Sequence, residues 1–248
     1  MKKLLVVALC LALSVGGVYA YVEGTLALEA RQAATNTITQ SILQRNGDTY
    51  VAAQKTSLYP AHHAVDVNWN AADSQGFWPA DMVNGARDNI VQVTNNASSA
   101  CFFRTYIAFE NNGGVFDEFI MVNWHDSVGT SDQSPYMLET LPSNVVINGE
   151  PYRVFVLTYT KPLAAGATSE PSLLQLAMMR TAGNNEVAKL GPTYNVLACT
   201  EAVWQDTQIA AEAPVISDYT ALDTLMGDPA QGLSQSVITQ LTSELNKK

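Results

Sequence analysis

Apolar and polar positions alternate along much of this chain with a period of two. Ala64-Val65-Asp66-Val67-Asn68-Trp69 shows the pattern cleanly, and such alternation marks a strand with one face buried. Further strand-like runs are Ile38 with Ser41-Ile42-Leu43, Thr49–Val51, Asn89–Val93, Cys101–Phe109 and Phe116–Trp124. Asn144–Ile147, Tyr152–Tyr159, Ser172–Met179 and Tyr194–Trp204 complete the set. Turn clusters separate them: Asn95-Asn96-Ala97-Ser98, Asn111-Asn112-Gly113-Gly114, Ala165-Gly166 and Gly183-Asn184-Asn185. Asn148-Gly149 is the clearest hairpin signal, because both residues tolerate positive φ. Many short strands without βα alternation predict an all-β fold, an antiparallel sandwich.

Helical spacing enters only near the C-terminus. Asp218 is placed to cap Tyr219–Met226, with Gly227 as the stop. Leu233, Val237, Ile238, Leu241 and Leu245 then form an apolar stripe ending in Lys247-Lys248, the favourable charge for a helix C-terminus. The stripe fits a helix packed on the sandwich, or a tail that binds a partner. No repeat and no shift in composition marks a second domain.

The first residues follow a different rule. Met1-Lys2-Lys3 is basic, Leu4 to Leu13 is apolar, and Val18 and Ala20 are small residues at the spacing of a signal cleavage site. Gly16-Gly17 interrupt a run already short for a membrane span. The predicted organisation is a signal peptide over residues 1–20, cut between Ala20 and Tyr21, an N-terminal segment over 21–36 whose pattern fits either an extended or a helical form, and one sandwich domain with a C-terminal helical segment over 37–248. After cleavage no membrane span is expected.

Charge and cysteine content narrow the function. The 13 basic and 23 acidic residues give −10. Loss of Lys2 and Lys3 with the signal leaves 11 basic and 23 acidic residues, a net of −12. Nucleic acid is therefore excluded as a partner, because no basic footprint exists. Of three cysteines, Cys10 goes with the signal. Cys101 and Cys199 remain, and in an oxidising compartment an even pair is most simply a disulfide; two buried free thiols are the alternative.

Several stretches carry a family resemblance in order along the chain. Gly16-Gly17-Val18-Tyr19-Ala20-Tyr21 resembles the cleavage region of SipW-dependent secreted proteins. Ala34-Thr35-Asn36-Thr37-Ile38-Thr39 resembles the opening of their first strand, and Val93-Thr94-Asn95-Asn96 with Cys101 to Ile107 a later strand pair. Leu157 to Gly166 resembles a strand and Leu-x-Pro-Gly turn, and Ala198 to Gln205 the terminal Ala-Glu-Ala-x-Gln strand. Ala221-Leu222-Asp223 to Gly227 resembles the closing short helix. The chain is thus similar to the TasA/camelysin family of biofilm matrix fibre subunits, which is related to archaeal bundling pilins. Two departures stand out: no Gly follows Asn36-Thr37-Ile38-Thr39, and residues 50–90 are unusually long and aromatic.

The resemblance implies a jelly-roll-like β-sandwich, export through a SipW-type signal peptidase, and assembly by donor-strand complementation. In that scheme the mature N-terminus pairs with the next copy, so Tyr21, Val22, Leu26, Leu28 and Ala30 would be assembly residues. The expected product is a secreted homopolymer at the cell surface or in the extracellular matrix, with an accessory fibre protein as a further partner. The physics is consistent: an open sheet edge offers unpaired backbone groups that an incoming strand satisfies.

Camelysin carries a metallopeptidase label, so zinc chemistry is the first alternative. His62, His63 and His125 lie in no H-E-x-x-H pattern, and adjacent histidines on a strand point to opposite faces. No nucleophile elbow is found, nor a phosphate-binding or dinucleotide fingerprint. Ser127 lacks an assigned base, and Asp126, Asp132 and Glu139 lack an EF-hand spacing for calcium. The expectation is a non-enzyme without cofactor. A monomeric surface module stacking ligand on Trp69, Phe77, Trp78 and Trp124 is the second alternative, against the commoner role of aromatics as core.

Overall fold

The computed structural model describes residues 38–53, 72–78, 86–129, 134–178, 194–204, 223 and 226–246. Among them are twelve strands: β1 (Ile38–Asn46), β2 (Thr49–Ala52), β3 (Arg87–Asp88), β4 (Ile90–Asn95), β5 (Cys101–Glu110), β6 (Ile120–Trp124), β7 (Val128–Gly129), β8 (Tyr136–Thr140), β9 (Val145–Ile147), β10 (Glu150–Tyr159), β11 (Leu173–Met178) and β12 (Val196–Trp204). Helix α1 spans Val115–Phe119 and helix α2 spans Gln235–Asn246. The fold is the expected all-β sandwich, antiparallel except for the short parallel pair β7–β8, with the longest helix among the described residues at the C-terminal end. No helix among the described residues is long and apolar enough to cross a membrane.

The first sheet has the order β12-β5-β10-β8-β7, with β9 paired to the start of β10. Asn148 at φ 51 and Gly149 at φ 88 make the tight turn between β9 and β10, as the Asn-Gly pair predicts. The second layer contains β2-β1-β4 and β3-β11-β6. Backbone hydrogen bonds join these two sets: Ser169 N–H to Val93 O, Ser172 N–H to Val91 O and Asn89 N–H to Leu174 O. Strands β3 and β4 thus act as one strand broken at Asn89, and the layer is continuous.

Between the layers lies the main core, with Phe103, Ile107 and Phe109 from β5, Leu157 and Tyr159 from β10, and Leu173 and Leu176 from β11. The next positions on the same strands, Tyr106, Ala108, Val154 and Val156, point the other way. They pack with Leu197 and Cys199 beneath Val237 and Leu241 of α2. Covering both faces of β5 explains why it reads as a nearly unbroken buried run; strands buried on both sides lose the apolar–polar alternation. Val237 and Leu241 are fully buried, and burial of each such side chain contributes about 1.5–3 kcal/mol to docking of the helix. Ser234 Oγ accepts the Val237 N–H at 3.2 Å and caps the helix start.

The run Phe116–Trp124 is not one strand. It begins as α1 and becomes extended at Ile120, because Asn111 Oδ1 accepts the Phe116 N–H and fixes the first turn. Asp117 and Glu118 therefore sit in the first turn of a helix, where acidic side chains suit the dipole, rather than on two faces of a strand. The strand expected over Ala64–Trp69 lies outside the described residues.

Candidate functional site

Strand β12 ends the first sheet. On one side it pairs with β5 through nine register positions, from Val196 opposite Phe109 to Trp204 opposite Cys101. Among the described residues no strand pairs with its other side. Glu110 donates its N–H to Asn195 O, so the odd-numbered residues of β12 face β5 in the antiparallel ladder. Val196, Ala198, Thr200 and Ala202 then turn their N–H and C=O groups away from β5, to the side that no described strand pairs. Ala198, Thr200 and Ala202 are nonetheless themselves buried, and Thr200 Oγ1 lies 3.5 Å from Gln40 Oε1 of β1. Side chains here are small on the core face: Ala198 and Ala202 are buried, and Thr200 Oγ1 lies 2.9 Å from Thr105 Oγ1. The assembly residues Tyr21, Val22, Leu26, Leu28 and Ala30, and the Ala20–Tyr21 junction, lie outside the described residues. So do His62, His63 and Asp132.

His125 sits in the turn between β6 and β7. Its Nδ1 accepts the Ser127 N–H at 3.0 Å and lies 2.8 Å from Ser127 Oγ. This puts a serine against a histidine, a contact the sequence spacing did not suggest. Ser127 Oγ, however, also donates to Pro171 O at 2.8 Å and the residue is buried. A nucleophile needs an exposed oxygen poised on its base; this pair instead braces the turn that carries the chain from β6 to β7. Among the described residues, no three His, Cys, Asp or Glu side chains gather at metal-binding distance. Asp126 lies in that same turn and Glu139 in β8.

The expected Cys101–Cys199 disulfide is not formed. Cys101 opposes Trp204, whereas Cys199 opposes Tyr106, five positions further along β5. At ~3.4 Å per residue that offset is about 17 Å, and a disulfide needs Cα atoms within ~7 Å. An odd offset also puts the two on opposite faces: Cys101 belongs to the core between the sheets, Cys199 to the layer under α2. Both are buried free thiols. Burial pushes the Cys101 thiol up to about 12 and raises that of Cys199 as well, so neither is a reactive thiolate. Both thiols are expected to alkylate in denaturant without prior reduction, and the melting temperature to be the same with and without reductant.

Of the aromatic platform, Phe77 and Trp78 are core and Trp124 is half-buried. Phe77 is 2% exposed and packs on Ile90, Leu174 and Leu43; Trp78 packs on Ala86, Ala177 and Met121. The loop 72–78 lies on the outer face of the second layer, and its tethers are polar. Gln175 Oε1 accepts the Trp78 N–H at 2.6 Å while its Nε2 donates to Trp78 O and to Asp88. Arg45 reaches Asp88 at 2.9 Å and stands 3.9 Å over the Phe77 ring. Trp124 packs edge-on against Phe109, and Trp69 lies outside the described residues.

Arg104 was not singled out by the sequence, and it is the most unusual charge here. Its side chain is 0% exposed, on the outer face of β5. The guanidinium donates to Thr158 Oγ1 at 3.1 Å, to Gly227 O at 2.8 Å and to Asp223 Oδ1 at 2.5 Å. Two of these three partners belong to the C-terminal segment. Glu201, opposite Arg104 on β12, accepts the Tyr106 hydroxyl at 3.2 Å. Gly227 holds φ 84, a left-handed conformation that glycine adopts without steric cost and that turns its carbonyl onto Arg104. The legible signal was the Arg inside Cys101–Phe109, a mostly apolar run in which a charge demands a partner if buried.

No family model matches the chain, and comparison with curated proteins and with solved structures likewise finds no match.

Proposed function

We propose that the chain is a secreted structural subunit of the TasA/camelysin type, which polymerises head-to-tail into extracellular fibres by donating residues 21–36 to the sheet edge of the next copy. The observation that supports it best is β12, a nine-residue strand at the end of the first sheet whose outer side has no strand partner among the described residues. Such an edge is a template for another strand. The segment from Val22 to Ala30 suits the role: Val22, Gly24, Leu26, Leu28 and Ala30 share one parity, and Glu23, Thr25, Ala27 and Glu29 the other, mostly polar one. Paired as a strand, it would turn an apolar face to the small core-side residues of β12 and a polar face outward. A head-to-tail contact of this kind does not close, so it propagates.

The test compares residues 21–248 with a chain beginning at Thr37, by negative-stain electron microscopy. The cut falls before Ile38, which is buried at the start of β1, so the sandwich is kept. Fibres from the longer chain and monomers from the shorter are the expected result. Fibres should also lengthen between low and moderate salt, because screening weakens repulsion between acidic subunits. Fibres from both chains would move the interface elsewhere, and monomers from both would overturn self-assembly.

A further inference from the structure

The C-terminal segment, Asp223 with residues 226–246, is held to the first sheet in a particular way. Its backbone hydrogen bonds, among the described residues, stay within itself: Gln231 to Asp228, Gly232 to Pro229, Ile238 to Ser234. Contact with the sheet is made by side chains and by one carbonyl. At one end Asp223 and Gly227 grip Arg104; at the other Leu233, Val237, Leu241 and Leu245 cover Tyr106, Ala108, Val154, Val156, Leu197 and Cys199. Without a ladder into the sheet, the segment can leave as one unit while both sheets stay paired, the behaviour of a local opening unit.

Charges around the grip are unbalanced. Facing it are Arg104 and Tyr106 from β5, Thr158 from β10, Glu139 from β8, Glu201 and Cys199 from β12, and Asp223 and Asp228 from the segment. Glu244 of α2 faces Cys199. One buried cation thus serves four nearby carboxylates, of which it pairs directly with Asp223. We propose that Asp223 with residues 226–246 forms a detachable strap, clasped by Arg104 over an apolar sheet face, and that the surplus carboxylates of the sheet make it close more tightly as the medium is acidified from neutral.

The sign follows from the two sheet carboxylates. Burial holds Glu139 and Glu201 protonated to a higher pH than the ordinary glutamate value of 4.5. Opening the strap hydrates Glu201 and takes Asp223 and Asp228 away from Glu139, whose side chain is already exposed in β8, and so returns both toward that value. Between 4.5 and the raised values the closed form therefore binds more protons than the open form, so closure weakens as pH rises through that window. Neutralising Glu139 and Glu201 also removes their repulsion of Asp223 and Asp228, leaving the Arg104–Asp223 pair nearly balanced.

The two cysteines make the test specific, because Cys199 lies under α2 and Cys101 lies between the sheets. Alkylation of each is followed by peptide mass spectrometry, and each rate is divided into that of the urea-unfolded chain at the same pH. The expected result is a Cys199 protection factor that rises several-fold as the pH is lowered from about 7.5 to about 4.5, the ordinary glutamate value, with Cys101 far more protected throughout. Glu139→Gln with Glu201→Gln should give at neutral pH the Cys199 protection that the parent shows in acid, and flatten its pH dependence. Asp223→Asn should lower Cys199 protection and leave Cys101 protected. Equal protection at the two cysteines would mean that the strap opens only with global unfolding. That outcome, or Cys199 protection that is flat or falls on acidification, overturns the proposal.

Discussion

Replacing Phe109 with alanine is expected to destabilise the chain by about 4 kcal/mol, in the upper half of the range for buried Phe→Ala changes. Phe109 is fully buried and joins four elements. Its ring stacks on Phe116 of α1 at 4.9 Å and 16°, meets Phe155 of β10 edge-on at 5.6 Å and meets Trp124 of β6 at 6.2 Å. Phe109 and Phe155 belong to the first sheet, Trp124 to the second layer, so the cluster ties the two together. Each aromatic pair adds ~0.5–1.5 kcal/mol beyond area burial, and three such contacts put this site above an average core phenylalanine. The cavity would be lined by rings that are themselves packed against both sheets, which limits collapse. Urea unfolding reads the effect as a shift of midpoint at unchanged slope. Val146→Ala in the middle of β9, where Val146 is 64% exposed, should cost little by comparison. A Phe109→Ala loss below about 1.5 kcal/mol would mean that the layers are not clamped here and that the site relaxes freely.

The parts of this fold legible in the sequence are those fixed by local pattern. Asn148-Gly149 placed a hairpin because only residues tolerant of positive φ make that turn. Strands β5 and β10 announced themselves by β-branched and aromatic runs, and the stripe Leu233–Leu245 by its spacing. Illegible parts depend on partners far away in the chain. Strand β8 was missed because Ser134-Pro135 reads as loop, and the strand exists through pairing with β10. The break between α1 and β6 depends on one cap from Asn111. Phe77 and Trp78 looked available for a ligand because nothing nearby covers them; Gln175, 97 residues from Trp78, supplies the bonds that press the loop down. Cys101 and Cys199 lay in strands that are indeed neighbours, but whether they meet depends on register, which strand propensity does not encode. Arg104 shows the same limit for the site: its burial is created by residues about 120 positions later.

Removal of Asp223 is the second large effect, and it discriminates between two meanings of the Arg104 clasp. Asp223→Ala is expected to cost about 3 kcal/mol, at the low end of the ~3–5 kcal/mol for stripping a partner from a buried charge. The low end applies because the Asp223 side chain is 31% exposed while that of Arg104 is 0% exposed, so water entering by the vacated carboxylate recovers part of the loss. What remains is a guanidinium held by Gly227 O and Thr158 Oγ1 alone. Adding Arg104→Met to the same chain should then restore more than half of the loss, because the unpaired charge disappears and methionine fills the space of the arginine stem. Urea unfolding of both singles and the double gives the coupling energy directly. A double variant less stable than Asp223→Ala would show that Arg104 stabilises mainly through Thr158 and the sheet. Recovery in the double would show the opposite: the arginine is costly in its site and is tolerated because the C-terminal segment brings the carboxylate that neutralises it.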